Sequence, residues 1–320
     1  MRAPKFWKRR TATALLLAPL GWLYGASVAN KARRANPYRS SARVICVGNL
    51  TAGGSGKTPV AMAVVATLAA LGKKVFFLTR GYGGSEVGPL LMENPRLEKV
   101  SADAVGDEAM LLARIAPTIV SRDRAAGAKL AEAKGAEIIV MDDGHQNFSL
   151  AKDLSLVVVD ATSGFGNGLI IPAGPLRESV AQGLARADAI VVVGDGDPDL
   201  GVYSGPVLRA HLAAEGTTFR GRRIFAFAGI GRPEKFLETL RDAGAVVTGS
   251  QFFADHHPYS AAEIAALRRW AEDAQLVTTE KDAVRLDTHL AVGIEFLPVR
   301  AVFDAPALLT HLLDRLLTGV

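Results

Sequence analysis

The sequence is short of the residues that carry several common functions. It has one cysteine, Cys46, in 320 residues. An intrachain disulfide is therefore impossible, and a cysteine-rich zinc site is excluded. Its six histidines are scattered, with only His256 and His257 adjacent. No H-x-x-x-H spacing occurs, which leaves a zinc hydrolase without support. Charged residues make up 22% and hydrophobic ones 49%, a balance that excludes a disordered or fibrous chain and supplies a packed core. The sharpest absence is of acid. Residues 1–85 contain no Asp or Glu, and the first acid is Glu86. The same stretch holds 14 Lys or Arg, so it carries +14 and leaves the other 235 residues at −9 of the net +5. A basic end on an otherwise acidic chain points to a polyanionic partner: an anionic membrane, a nucleic acid or a highly charged substrate.

What is present begins with Thr11 to Asn30, a run of 20 uncharged residues flanked by Lys5, Lys8, Arg9 and Arg10 before it and Lys31, Arg33 and Arg34 after it. A cleaved signal peptide, a transmembrane helix and a helix lying in the membrane interface all fit. On a helix, Leu16, Leu20, Leu23 and Tyr24 share one face and Ala14, Ala18, Gly21 and Gly25 another. Trp22 and Tyr24 suit the headgroup boundary. Pro19, the two glycines and basic residues at both ends weaken a simple span, and the interfacial helix is the favoured reading.

Beyond it, apolar runs alternate with helical patterns. Strands are expected at 43–48, 74–79, 118–121, 137–141, 154–160 and 189–194, and helices at 59–71, 106–115 and 123–134. Strands that are continuously apolar, separated by helices, indicate a doubly wound parallel α/β sheet covered on both faces. The break DGDPDLGVYSG at 195–205 precedes a smaller α/β unit. The expected organisation is an N-terminal basic and apolar membrane-interface helix (1–36), a core (37–200), and a linker with a smaller C-terminal lobe (201–320).

The strongest motif is Gly48-Asn-Leu-Thr-Ala-Gly-Gly-Ser-Gly-Lys-Thr58, between a strand and a helix. That context suits a phosphate loop, whose backbone N–H groups close round phosphate oxygens. Lys57 would reach the β- and γ-phosphates, and the Thr58 hydroxyl would bind Mg²⁺. The strict pattern wants glycine where Thr51 stands. Asp142-Asp143 ends an apolar strand, where a second Mg²⁺ contact is expected; an ordinary turn acid is the plain alternative. Asp107 and Glu108 open a helix, either to favour its dipole or to supply a general base. Asp255-His256-His257 reads as a tuned His–carboxylate pair or a surface turn. Arg177, in a loop before a helix, suits a phosphoryl clamp. Arg122 and Arg124 could do the same from a strand end, or lie on a solvated face. Thr279–Asp282 contacts a nucleotide base or caps a helix.

In order along the chain stand GNLTAGGSGKTP (48–59), LTRGYGG (78–84), GDEAMLLA (106–113), DDGHQ (142–146), GPLRE (174–178), DHHPY (255–259) and TEKD (279–282). After a basic apolar N-terminus, this set resembles the tetraacyldisaccharide 4′-kinase family, the lipid A 4′-kinases of Gram-negative bacteria, over nearly the whole chain. The resemblance implies a phosphate-loop NTPase-type core with a smaller α/β lobe joined by a β-linker. It implies that ATP, with Mg²⁺, phosphorylates the 4′-hydroxyl of a tetraacylated glucosamine disaccharide 1-phosphate, giving lipid IVA. The expected location is the cytoplasmic face of the inner membrane, peripheral or monotopic, against an anionic lipid surface. By motif match, Asp107 is the base with His256 as its partner, and Lys57 and Arg177 act on the phosphates. Thr51, Ala52, Gly53, Gly54, Ser55, Gly56, Lys57 and Thr58 cradle the nucleotide, with Tyr82, Arg124, Lys281 and Asp282 lining the site. Thr58, Glu108, Asp142, Asp143 and Gln146 form the metal surroundings. Two positions depart from the family pattern: Ser55 stands where Thr is usual, and His145 where an aromatic is usual, leaving a metal role for His145 open.

The chief rival reading is a membrane-associated phosphate-loop ATPase acting as a partitioning or assembly switch; a non-enzymatic nucleotide-binding scaffold is a second. A nucleic-acid enzyme is disfavoured, because the basic region lacks the interleaved aromatics of a base-stacking groove.

Overall fold

The structure, a computed structural model, describes residues 4–93, 100–201, 203–216 and 219–318. Arg2 of the basic stretch lies outside them. The strands are β1 (Arg43–Gly48), β2 (Val75–Thr79), β3 (Leu90–Met92), β4 (Thr118–Val120), β5 (Ile138–Asp142), β6 (Leu154–Asp160), β7 (Ala189–Val193), β8 (Val207–Ala214), β9 (Arg223–Ala228), β10 (Val246–Phe252), β11 (Gln275–Thr279), β12 (Ile294–Leu297) and β13 (Val299–Phe303). The helices are α1 (Ala12–Arg34), α2 (Lys57–Ala70), α3 (Ala102–Val105), α4 (Asp107–Ala113), α5 (Arg124–Ala133), α6 (Val180–Leu184), α7 (Pro233–Asp242), α8 (Ala261–Ala271), α9 (Glu280–Ala283) and α10 (Pro306–Thr318).

Nine strands form the large sheet in the order β13-β8-β7-β6-β1-β5-β2-β4-β3. All neighbours run parallel except the edge pairs β13–β8 and β3–β4. Every residue of β2, β5, β6 and β7 is buried, which is why these strands read as unbroken apolar runs. Val60, Val64 and Leu68 of α2 recur at helical spacing and enter the core below β1 and β5. Register places Val47 beside Asp142 and Gly48 beside Val157. The phosphate loop after β1 and the carboxylates after β5 therefore emerge side by side at the carboxyl edge of the sheet, where ligands bind in open α/β sheets.

The second lobe has a four-stranded parallel sheet, β10-β9-β11-β12, packed with α7 and α8. Its extent corrects the expected boundary. β8, β13 and α10 all fall in 201–320, yet they belong to the large sheet and its core, with Leu309 and Leu313 buried against α2. The small lobe is thus inserted between β8 and β13, and Pro298 alone separates β12 of one sheet from β13 of the other. Sequence pattern did not separate these strands. β8 alternates buried and exposed residues at its start, and edge strands lack the fully apolar signature of central ones.

Helix α1 begins at Thr11, whose side chain accepts a hydrogen bond from the Ala14 amide. Its small-residue face is the docked one: Ala14, Gly21 and Gly25 are buried, while Leu16, Leu20, Trp22 and Leu23 stand exposed. The partner is the loop after β6. A Cβ on Gly21 would lie 2.5 Å from the Ile170 carbonyl oxygen, and one on Gly25 would lie 2.6 Å from its Cδ1. Trp7 Nε1 donates to the Pro172 carbonyl, Arg10 Nε to the Asn167 carbonyl, and Asn167 Nδ2 to the Phe6 carbonyl, each at 3.0 Å. α1 is long and apolar enough to cross a membrane by length and composition. Its docked inner face and apolar outer face fit a membrane-associated protein.

Gly21→Ala should lower stability by about 1–3 kcal/mol, the scale of overpacking, because the clash is with backbone. Leu16→Ala, on the outer face, should leave it within about 0.5 kcal/mol of wild type. Urea unfolding monitored by circular dichroism checks both, and equal losses would contradict the docked face.

Candidate active site

The phosphate loop is tied to the segment that carries Arg177. Thr51 bridges Leu176, the Ala52 amide donates to the Pro175 carbonyl at 2.7 Å, and the Arg177 amide donates to the Leu50 carbonyl at 2.8 Å. This short antiparallel pairing brings the GPLRE segment to the phosphate loop and sets Arg177 beside it. Inside the loop, the buried Asn49 side chain donates to Ser55 Oγ at 3.0 Å. Gly56 has φ +88° and leads into α2, a conformation that a side chain would strain.

Asp142 and Asp143 divide their roles. Thr58 Oγ1 donates to Asp142 Oδ2 at 3.1 Å. Asp143, in the left-handed region at φ 56°, turns the other way. It accepts from both terminal nitrogens of Arg177, at 2.7 and 3.1 Å, and lies 3.8 Å from Lys57 Nζ. Burial pushes the Asp143 carboxyl up, but Lys57 and Arg177 together outweigh it and hold it below the usual carboxylate range. Gln146 is a strut. Its amide nitrogen Nε2 donates to the Asn49 carbonyl and to Glu178 Oε1, and its Oε1 accepts from Arg177 at 3.3 Å. Glu178 is fixed in turn by both carboxylate contacts to Arg186.

Four buried side-chain oxygens among the described residues have no hydrogen-bond partner: Asn49 Oδ1, Glu108 Oε2, Asp142 Oδ1 and Asp255 Oδ1. Burial pushes the Asp142 carboxyl up to about 7, and the Asp143 and Glu108 charges add to the rise. Orphaned carboxylate oxygens that repel one another beside a Thr hydroxyl fit a small divalent cation, which favours one or two carboxylates plus phosphate oxygens. Among the described residues no group of three or more His, Cys, Asp or Glu converges on one point. Such an ion would therefore be shared with the nucleotide.

The other half of the site is built on Asp107, the first residue of α4. His256 reaches it from the small lobe, its Nδ1 donating to Asp107 Oδ2 at 2.7 Å. His256 also has a left-handed backbone, φ 60°, and its amide donates to the Gly229 carbonyl. Arg285 Nε donates to the same Oδ2 at 2.7 Å, and Nη2 makes an ion-pair contact with it at 2.6 Å. Burial raises the Asp107 carboxyl, but the hydrogen bonds from His256 and Arg285 outweigh it and bring it down to about 2. Lys281 pairs with Glu108 at 2.7 Å and lies 3.4 Å from His256 Nε2. The exposed Tyr82 ring stands 6.0 Å from the His256 ring.

Residues 13–317 match a family model described as LpxK, Tetraacyldisaccharide-1-P 4′-kinase. The chain belongs to the tetraacyldisaccharide 4′-kinase family. A tetraacyldisaccharide 4′-kinase of Paramagnetospirillum magneticum is 53% identical, with 99% of each chain covered. One of Rhodospirillum rubrum is 47% identical over 100% of this chain and 99% of its own. A crystal structure of Aquifex aeolicus LpxK in complex with ATP superposes with a TM-score of 0.78 at 26% identity, covering 95% of this chain and 99% of that one.

Most of the residues singled out by motif come together in the structure. Thr51 to Thr58, Arg177, Asp142, Asp143, Glu108, Asp107, His256, Lys281 and Tyr82 gather at the carboxyl edge and the facing small lobe. Gln146, Asp282 and Arg124 differ from expectation: Gln146, expected in the metal surroundings, is engaged by Asn49, Glu178 and Arg177. Asp282 is fully buried inside the small lobe, accepting from the Gly229 amide, Tyr259 Oη and Thr279 Oγ1. It holds Arg285 at 2.8 Å and has no exposed surface for a nucleotide. Arg124 is buried under the Asp142–Asp143 pair, where burial lowers its guanidinium to about 10; it supplies charge from below rather than a surface lining. His145 is buried with Nε2 at 2.9 Å from the Gly183 carbonyl, and burial brings it down to about 4, so it packs as a neutral imidazole. Arg285 was not singled out at all. Its one sequence signal is its place three residues after Asp282, a spacing that pairs opposite charges on a helix.

The raised Asp142 group sets a pH dependence. The folded chain keeps its proton between about pH 4, near the ordinary value of 3.8, and about pH 7. The unfolded chain loses it over that range, so stability from this group falls as pH rises and is lost by about pH 7. Without Mg²⁺ or nucleotide, Asp142→Asn should gain on wild type from pH 5 to pH 8. Urea midpoints at the two pH values check it, and a constant difference would overturn it.

Proposed function

We propose the following division of labour for the family's reaction in this chain. The protein is an ATP-dependent lipid kinase: it transfers the γ-phosphoryl group of ATP to the 4′-hydroxyl of tetraacyldisaccharide 1-phosphate, giving lipid IVA. The phosphate-loop amides and Lys57 hold the nucleotide phosphates. A Mg²⁺ ion held by Thr58 and Asp142, with Glu108 close by, would neutralise charge on the phosphates. Asp143 and Gln146 keep Arg177 beside Lys57, where its two-pronged guanidinium balances charge on the transferring group. Asp107 accepts the proton of the 4′-hydroxyl as that oxygen bonds to the γ-phosphorus and the bond to the β–γ bridging oxygen breaks, releasing ADP. His256, donating through Nδ1 to Oδ2, orients Asp107 for that transfer.

The observation that carries this reading is the 2.7 Å contact between Asp107 and His256, next to Glu108, whose charge acts on Asp142 beside the phosphate loop. It favours a kinase over an ATPase switch, because a base aligned outside the phosphate loop serves an acceptor hydroxyl. The acceptor is an amphipathic lipid, and its acyl chains and 1-phosphate account for two features together. The exposed Leu16, Leu20, Trp22 and Leu23 of α1 dip into the lipid boundary, and the +14 N-terminal stretch meets anionic headgroups. ATP supply sets the working side as the cytoplasmic face of the inner membrane.

The test is transfer of label from γ-³²P-ATP to tetraacyldisaccharide 1-phosphate in mixed micelles. Lys57→Ala and Asp107→Asn should each cut turnover by at least about 10²-fold, and a loss under about threefold for Asp107→Asn would remove it as the base. Free phosphate without labelled lipid from wild type would favour the ATPase switch. Replacing Leu16, Leu20 and Leu23 together by Ser should weaken binding to anionic liposomes while leaving ATP binding in solution unchanged; parallel losses would contradict the membrane role of that face.

A further inference from the structure

All contacts to the Asp107 carboxylate fall on one oxygen. His256 Nδ1, Arg285 Nε and Arg285 Nη2 reach Oδ2 at 2.7, 2.7 and 2.6 Å. Among the described residues Oδ1 accepts no hydrogen bond. An accepted proton must go to an oxygen with a vacant lone pair, so the geometry leaves Oδ1 as the reacting atom and Oδ2 as the anchor. A carboxylate anchored by one donor can still pivot about its Cβ–Cγ bond. Two donors from different directions on one oxygen stop the pivot.

Arg285 is itself rigid. Its side chain is 7% exposed, and Nη1 donates to Asp282 Oδ1 at 2.8 Å and to the Gly229 carbonyl at 3.1 Å. Asp282 is in turn held by two contacts to the Gly229 amide, each at 3.1 Å, and by Tyr259 Oη at 2.9 Å. This frame lies wholly in the small lobe, whereas Asp107 opens a helix of the large one. A plain inter-lobe tie exists elsewhere and uses both oxygens: Asp160, at the end of β6, takes Lys235 and Arg232 of the small lobe on Oδ2 at 2.5 and 2.7 Å, and its Oδ1 accepts from the Ser163 amide and hydroxyl at 2.8 Å.

We infer that Arg285 is a positioning residue of the kinase, which pins Oδ2 of Asp107 and so aims Oδ1 at the acceptor hydroxyl only while the small lobe is seated. The inference rests on the reading of Asp107 as the base. It assigns a working part to the buried Asp282–Arg285 pair, for which a nucleotide contact is geometrically closed.

A double-mutant cycle on the full chain tests it, with Arg285→Ala, Asp107→Asn and the double variant compared in the lipid-labelling assay. Arg285→Ala should lower kcat by about 10–100-fold, the cost of a misplaced reacting group, with the KM for ATP within about threefold of wild type. On the Asp107→Asn background the same change should cost less than about threefold, since the residue acts through Asp107. A loss of equal size on both backgrounds would overturn the inference and leave Arg285 as lobe packing. A large loss from Asp107→Asn with none from Arg285→Ala would also overturn it while sparing the base. Near wild-type turnover in Asp107→Asn would instead remove the base reading itself. If Arg285→Ala fails to fold, because it leaves two buried carboxylates unpaired, Arg285→Lys runs the same cycle. It keeps the charge but loses the fork, and turnover between wild type and Asp107→Asn is expected on the wild-type background alone.

Discussion

The carboxylate of Asp107 is the point on which the two lobes converge. It opens α4 of the large sheet, and both donors to its Oδ2 come from the small lobe. A buried carboxylate without partners would draw a proton, and a protonated acid is no base. The hydrogen bonds from His256 and Arg285 keep it ionised. Because these partners sit in another lobe, ionisation and orientation of this group both require the lobes to be seated together.

The phosphate-handling half is organised by a different constraint, the parallel register of β1 and β5. Register alone sets the loop and the Asp142–Asp143 pair adjacent, and the left-handed turn at Asp143 sends the two side chains apart. One carboxylate accepts from Thr58 Oγ1; the other is paired with Arg177 and Lys57. Neighbouring acids of the same strand end thereby differ in direction of pKa shift, one raised and one lowered. The raised one is suited to receive a cation, the lowered one to hold an arginine in place.

The membrane helix is tied to the same architecture. α1 docks through glycines on the loop that continues into GPLRE, and that segment pairs with the phosphate loop. A surface suited to lipid is therefore one loop away from the phosphate clamp. For a kinase whose acceptor is anchored in a bilayer, that adjacency keeps the sugar end near the nucleotide while the acyl chains stay in an apolar phase.

The central strands, the phosphate loop, the helix after it and the apolar N-terminal run were legible from the sequence, because each rests on local chemistry: β-branched runs, glycine spacing, caps and hydropathy. The ordered motifs identified the family for the same reason, since motif residues keep their order along the chain. The edge strands β8 and β13 were not separated from the small lobe, because a strand's sheet membership depends on partners distant in sequence. The fates of Asp282, Arg124 and His145 were equally out of reach. Burial turned these three polar residues into internal supports, and burial is a property of the packed chain. Arg285 carried no motif, and its importance comes from meeting Asp107 across 178 positions of sequence. The sequence by itself determined which chemical groups the protein owns and which local elements display them. Tertiary structure alone decided which oxygen of Asp107 is pinned, which acid of the pair stays bare, and which face of α1 is left for the membrane, because each depends on the direction of approach of groups that the chain brings together only on folding.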